Sequence, residues 1–295
     1  MPNVRANGIR IEYDIFGYPA SSPLLLIMGH SAQMIAWDEE LCREFVNKGF
    51  YVIRFDNRDV GLSSKMDEAP VVDIMDVYTA ISQGKEIEAP YTLDDMADDT
   101  IGLLDALHIE KAHICGVSMG GMIAQIMAIR YPQRVLSLTS MMSATGNPEI
   151  STSKPDNGDF QFKPPPKNRD AYINHAVEVC RIIGSPGFEF DEERIRRWLT
   201  QEYDRCFCPE GSVRQLLAIL KSGNRKPKLA TITVPTLVIH GTEDPLVPVE
   251  WGKDTAEAVP GAELLIIEGM GHDLPRQVWP RIVGAITANA KKAEA

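Results

Sequence analysis

Apolar residues follow two periods along this chain, and the switching between them predicts its architecture. From Ile9 to Ile15 apolar and polar positions alternate, Leu24 to Met28 is a continuous apolar run, and Tyr51 to Phe55 is again alternating or apolar, so each predicts a strand. Between the last two, Trp37, Leu41, Cys42, Phe45 and Val46 recur at helical spacing and Gly49 ends the run, which predicts a connecting helix. Thr92 precedes Leu93, Met96, Ala97, Ile101, Leu104 and Leu107 at steps of three or four, with Asp95 placed to complete a capping box. That helix delivers the chain to a short apolar strand, Ala112 to Val117. A helical pattern from Met119 to Ile129 follows and stops at Tyr131-Pro132. Val135 to Met142, Thr236 to His240 and Leu264 to Ile267 read as three more buried strands. Strands alternating with helices predict an α/β fold with a mostly parallel sheet covered on both faces.

The regularity breaks between about Thr145 and Lys228. This stretch holds Pro164-Pro165-Pro166 and a helical segment from Arg169 to Ile183 ended by Gly184-Ser185-Pro186-Gly187. Two more helical candidates lie near Asp191 to Tyr203 and Ser212 to Lys221. We expect a helical cap over residues 145–228, inserted into a core made of 1–144 and 229–295; the alternative is that these are ordinary outer helices of the same sheet. A smaller irregular segment, Ser64 to Pro90, is expected near the mouth of any site.

Composition narrows the function classes. At 295 residues and 44% hydrophobic, the chain suits one large domain, or a domain with an insertion, with a full core. A net charge of -11 without a long basic run repels nucleic acid and anionic membranes, so neither is expected as a partner. Five irregularly spaced cysteines argue against a disulfide framework and fit a reducing compartment. Cys206-Phe207-Cys208, with Cys180 and His175 upstream, lacks a second matching pair, so free thiols and no metal are expected. Met1 to Asp14 lacks a secretory pattern and Leu24 to Met28 is too short to span a bilayer, which points to the cytoplasm.

The chemistry concentrates at Gly116-Val117-Ser118-Met119-Gly120-Gly121, a G-x-S-x-G between a predicted strand and a predicted helix. In a nucleophile elbow the serine is strained and bulky neighbours two residues away are excluded, which Gly116 and Gly120 satisfy. A serine hydroxyl needs a base, and the base needs a third group to fix its tautomer. The strand from Thr236 runs into Gly241-Thr242-Glu243-Asp244-Pro245, and the strand from Leu264 into Glu268-Gly269-Met270-Gly271-His272. Asp244 and His272 therefore follow Ser118 in loops at the same edge of a parallel sheet. Asp244 is favoured over Glu243 because Asp-Pro fixes the turn. The expected oxyanion donors are the backbone N–H groups of Met119 and His30, the latter in Met28-Gly29-His30-Ser31; each is worth roughly 2.7–4 kcal/mol in the transition state. The His30 side chain either lines the pocket or holds the loop. His108 and His113, at a helix-to-strand junction, are expected at the surface, and His240 is expected to support the acid loop.

With these residues in view, the chain resembles the alpha/beta-hydrolases over nearly its whole length. Gly116 to Gly121 is similar to the family elbow, Asp56-Asn57-Arg58-Asp59-Val60-Gly61-Leu62-Ser63 resembles its D-x-R-x-x-G-x-S turn, and Gly269-Met270-Gly271-His272 resembles its histidine loop. The resemblance implies an eight-stranded sheet with a helical cap after the sixth strand. Met28-Gly29 in place of the common His-Gly, with Asp59 following Arg58, resembles the branch containing aclacinomycin-type methylesterases.

The resulting expectation is a serine carboxylesterase acting through Ser118, His272 and Asp244 on a small-molecule ester, without cofactor. Of the twelve methionines, Met28, Met34 and Met142, with Trp37, are candidate pocket residues for a fairly apolar substrate; core packing is the alternative reading, and Trp198 is either pocket or anchor. A carbon-carbon bond hydrolase or a cofactor-free perhydrolase would use the same residues, and a non-enzymatic receptor on this fold is the third class.

Overall fold

The computed structural model describes residues 2–70, 72–150 and 166–293, so Pro164 and Pro165 of the proline run lie outside the described residues. In chain order the elements are β1 (Asn3–Ala6), β2 (Ile9–Phe16), β3 (Ser22–Ile27), α1 (Glu39–Asn47), β4 (Phe50–Phe55), α2 (Ile74–Ser82), α3 (Leu93–Ala106), β5 (Ala112–Val117), α4 (Met119–Arg130) and β6 (Val135–Met141). They continue with α5 (Arg169–Ile183), α6 (Glu192–Arg205), α7 (Pro209–Ser222), α8 (Lys226–Leu229), β7 (Thr236–Gly241), α9 (Val249–Ala258), β8 (Glu263–Ile267) and α10 (Trp279–Lys291). The strands form one eight-stranded sheet in the order β1-β2-β4-β3-β5-β6-β7-β8. The β1/β2 and β2/β4 pairs are antiparallel and the rest are parallel, as the strand-helix alternation predicts.

Two apolar layers hold the sheet. Leu25 and Ile27 face one cluster with Ile53, Ile114, Leu138 and residues of α3 and α4; Leu24 and Leu26 face the other with Val52, Cys115, Ile239, α1 and α10. Each such side chain stabilises the fold by about 1.5–3 kcal/mol when fully buried, and a slip of one residue would exchange the two faces of β3 at once. The register is thereby fixed, and with it the position of every loop at the sheet edge.

Local signals set most boundaries. Thr92 and Asp95 close the expected capping box: the Thr92 N–H donates to the Asp95 carboxylate at 2.7 Å, and the Asp95 N–H to the Thr92 hydroxyl at 3.4 Å. The first helix starts later than its periodicity suggests. Asp38 caps it by accepting from the Glu40 N–H at 2.8 Å, and Trp37 closes a preceding 3-10 turn. His113 also departs from expectation. It lies within β5, 2% exposed, with ring nitrogens 2.8 Å from the Ser137 hydroxyl and 3.1 Å from that of Ser22. A central strand covered on both faces leaves no surface position, whereas His108, beyond α3, is exposed as expected.

Helices α5, α6 and α7 fall between β6 and β7. Ile173, Val177 and Leu199 make a small core between α5 and α6, and α7 packs on α3. The stretches of chain that enter and leave this segment are hydrogen-bonded to each other: the Arg225 N–H donates to Thr145 O and its guanidinium to Ala144 O, each at 2.8 Å. No helix among the described residues is long and apolar enough to cross a membrane.

Candidate active site

Register sets the loops that bear the expected residues along one edge. Ile27 pairs with Gly116, Val117 with Met141, Met141 with Ile239, and Gly241 with Ile267, so the loops after β3, β5, β6, β7 and β8 leave from one edge. Ser118 sits between β5 and α4 with φ 54 and ψ -120, a conformation that costs an L-residue of order 1–3 kcal/mol. Close packing explains its glycines: a Cβ on Gly116 would lie 2.0 Å from Gly120 O, and one on Gly120 would lie 2.2 Å from Ile27 O. The elbow is tied down from both directions. Its Ser118 N–H donates to Met141 O at 2.9 Å, and Ser118 O accepts from the Ser143 hydroxyl at 2.7 Å.

Asp244 and His272 meet in the loops after β7 and β8. His272 Nδ1 lies 2.7 Å from Asp244 Oδ2, and Asp244 Oδ1 accepts from the N–H groups of Leu246 at 3.0 Å and Val247 at 2.8 Å. Burial alone would raise the Asp244 pKa; hydrogen bonds from His240 and His272 and the Val247 N–H outweigh it and bring the carboxyl down to about 2. An ionised carboxylate on Nδ1 keeps that nitrogen protonated and leaves Nε2 as a proton acceptor. His240 supports this loop, its Nε2 donating to Val247 O at 2.7 Å and lying 3.5 Å from Asp244 Oδ2.

The loop after β3 lies against the elbow, a Cβ on Gly29 being 3.1 Å from Ser118 Cβ and 3.7 Å from its Oγ. Its His30 ring holds the loop rather than lining the cleft: Nε2 donates to Ser212 O at 2.8 Å, and burial lowers its pKa more than that bond raises it. The D-x-R-x-x-G-x-S turn braces the same loop. Asp56 accepts the Met34 N–H at 2.8 Å, Asn57 Nδ2 donates to Met28 O at 3.0 Å, and Arg58 anchors the turn to Asp99 through two bonds of 2.6 and 2.7 Å.

A cleft of about 1010 Å³ reaches this edge. His272, Met28, Met142, Val117, Phe190 and Trp198 are among its lining residues. Met34 and Trp37, candidates by sequence, do not line it and are fully buried. Trp37 instead packs with Leu41, Phe45 and α10, because the 3-10 turn before α1 directs it under the sheet.

Sequence reasoning missed the connector between α5 and α6. The Gly271 N–H donates to the Ser185 hydroxyl at 2.8 Å, that hydroxyl donates to the Asp273 carboxylate, and the His272 N–H donates to Ile183 O at 2.7 Å. Gly187 and Gly269 stack backbone to backbone, a Cβ on Gly187 falling 2.6 Å from Gly269 Cα. Gly184-Ser185-Pro186-Gly187 reads as a helix stop; its two glycines were the available signal for a close backbone approach.

Comparison with known proteins agrees with this architecture. Residues 17–179 match the model of the alpha/beta hydrolase fold family, and the chain belongs to that family. Residues 217–278 also match a model described as TAP-like protein. Among individual relatives, rhodomycin D methylesterase of Streptomyces peucetius is 28% identical over 94% of this chain and 93% of its own length. A 2-hydroxy-6-oxononadienedioate/2-hydroxy-6-oxononatrienedioate hydrolase of Paraburkholderia xenovorans is 33% identical over 58% of this chain and 59% of its own. A meta-cleavage product hydrolase from Pseudomonas fluorescens superposes with a TM-score of 0.76 at 23% identity, covering 99% of this chain and 98% of that one. The sheet and the methylesterase resemblance expected from sequence both find counterparts here.

Proposed function

We propose that this chain is a serine carboxylesterase that removes a small alcohol, methanol foremost, from a bulky and largely apolar acyl group. The observation that carries the reading is the 2.7 Å contact of His272 Nδ1 with buried Asp244, beside a cleft that shares its edge with the strained Ser118. In this mechanism Ser118 Oγ attacks the ester carbonyl while its proton passes to His272 Nε2. The N–H groups of Met119 and His30 stabilise the oxyanion. Collapse breaks the bond to the alcohol oxygen, which takes the proton from His272, and the acyl group stays on Ser118. Water then attacks the acyl-enzyme, giving its proton to His272, which returns it to Ser118 as the acid leaves. Asp244 holds the His272 tautomer throughout and stabilises its cationic form.

The 1010 Å³ cleft and its Phe190, Ile195 and Trp198 lining suit a large acyl group, and the methylesterase similarity suits a small leaving alcohol. We read 145–228 as a cap inserted into a core of 1–144 and 229–295, with residues between Cys180 and Gln201 lining this cleft. The five free thiols fit a reducing compartment such as the cytoplasm.

Methanol release from a panel of aryl and polycyclic methyl esters, alongside p-nitrophenyl esters from acetate to palmitate, tests the proposal. Turnover lost in Ser118→Ala is the expected result. The similarity to carbon-carbon hydrolases supports a second reading, cleavage of a vinylogous 1,5-diketone by the same residues; turnover of that class without ester turnover would replace the first reading. Absence of fluorophosphonate labelling at Ser118 would favour a non-enzymatic receptor over both.

A further inference from the structure

Resting on that reading, we infer that Gln215 of α7 is a positioning residue for the oxyanion loop, so that the helical insertion completes the catalytic machinery as well as bounding the cleft. Gln215 is fully buried. Its Oε1 accepts from the Ser31 N–H at 2.8 Å and its Nε2 donates to Arg58 O at 2.8 Å. Neither partner can reverse its role, since an N–H only donates and a carbonyl only accepts, so the amide has one orientation and both ends are used. The side chain therefore clamps the loop after β3 to the turn after β4 from above.

The clamped bond is the one that matters for His30. Ser31 is left-handed with φ 58, an unfavourable state for a residue with a Cβ, and Gln215 holds the peptide that joins it to His30. On the other side Gly29 rests against Ser118, and the His30 ring is fixed by Ser212 one turn earlier on α7. His30 is thus held at its ring and at both neighbours, while among the described residues no group accepts from its own N–H. A donor kept unpaired and oriented before substrate arrives is what oxyanion stabilisation requires. Docking of α7 is secured separately, by the paired bonds of Arg214 to Asp59 at 2.9 and 2.7 Å and by Ser222, whose hydroxyl accepts from the Leu93 N–H at 2.9 Å. Gln215 is therefore separable from the attachment of its helix.

The experiment compares wild type with Gln215→Met, which keeps the volume and removes both bonds, Gln215→Glu, which keeps the acceptor for Ser31, Ser222→Ala, which weakens the same helix elsewhere, and Ser118→Ala. With the best ester, Gln215→Met is expected to lower kcat on the order of 10- to 100-fold while KM stays within about twofold. The inhibition constant of phenylboronic acid, which becomes tetrahedral on Ser118, should rise in parallel. Gln215→Glu should recover part of the loss, and Ser222→Ala should lower the thermal midpoint while kcat holds. If Gln215→Met keeps wild-type kcat and boronate affinity with Ser118→Ala inactive, or if Ser222→Ala lowers kcat equally, the inference is overturned and the esterase reading stands. Wild-type turnover in Ser118→Ala would overturn both.

Discussion

Two buried carboxyls, one at the sheet edge and one in the helical insertion, stand in opposite settings. Asp244 is held ionised by two histidines and by its own loop: His240 and His272 approach Oδ2, and the N–H groups of Leu246 and Val247, within three residues, bind Oδ1. Glu202 of α6 reaches across to the core, where the Gln33 N–H meets its Oε1 at 2.8 Å. Burial pushes its pKa up, the Gln33 bond only partly opposes this, Asp56 adds repulsion and Arg205 attraction, and the carboxyl settles at about 7. A short loop at the end of a parallel strand supplies donors by folding back on itself. An insertion must find its partners across an interface, one side chain at a time, and can bury a carboxyl with fewer donors than it needs.

The largest effect should come from the sheet edge. Ser118→Ala is expected to reduce kcat on the order of ten thousand-fold or more with an unchanged thermal midpoint, read by steady-state hydrolysis and calorimetry. An intact rate would remove the elbow from the chemistry. Asp244→Asn should cost about a thousand-fold or more, because the amide can present its N–H to Nδ1 and fix the wrong tautomer of His272.

The seam between the two regions should give an intermediate result. Gly187→Ala forces a Cβ to within 2.6 Å of Gly269 Cα, so the histidine loop and the connector must part. A stability loss of about 1–3 kcal/mol, with kcat down by about tenfold, is expected in urea titrations and kinetics. Loss of stability with full kcat would show that the seam holds the insertion without holding His272.

The smallest effect on rate, and the clearest on stability, belongs to Glu202. Its folded pKa of about 7 lies above the unfolded value of 4.5, so the stability it contributes is fully present below pH 4.5 and is lost as pH rises towards 7, up to about 3 kcal/mol. Asp244 has the opposite sign. Its folded value of about 2 lies below 3.8, so its contribution of about 2 kcal/mol is present above pH 3.8 and is lost as pH falls through 2. Urea midpoints between about pH 5 and 8 should therefore fall in wild type and stay level in Glu202→Gln, which keeps an acceptor for Gln33. Parallel curves for the two proteins would show that Glu202 does not titrate in this range.

Residues whose neighbours in sequence are also their neighbours in space could be read from the chain alone. The Thr92 cap, the alternation that sends Leu24 and Leu26 to one layer and Leu25 and Ile27 to the other, and the placing of Ser118, Asp244 and His272 each just past the end of a strand are all local patterns. Trp37 was legible only as a large apolar residue near a helix start. Whether such a residue faces a cleft or a core depends on what packs against it, and α10, which shares its cluster, lies at the far end of the chain. His113 shows the same limit, since a central strand and a surface junction look alike over six residues.

The chain by itself therefore determined the class of fold, the strand-to-helix turn at Ser118 and the loops that bear Asp244 and His272, because periodicity, caps and glycine spacing act over a few residues. Tertiary structure alone decided that Ser185, Glu202, Ser212 and Gln215 hold the loops of the site. Their bonds join positions far apart in sequence, and a polar side chain carries no mark of its partner until packing has removed the water between them.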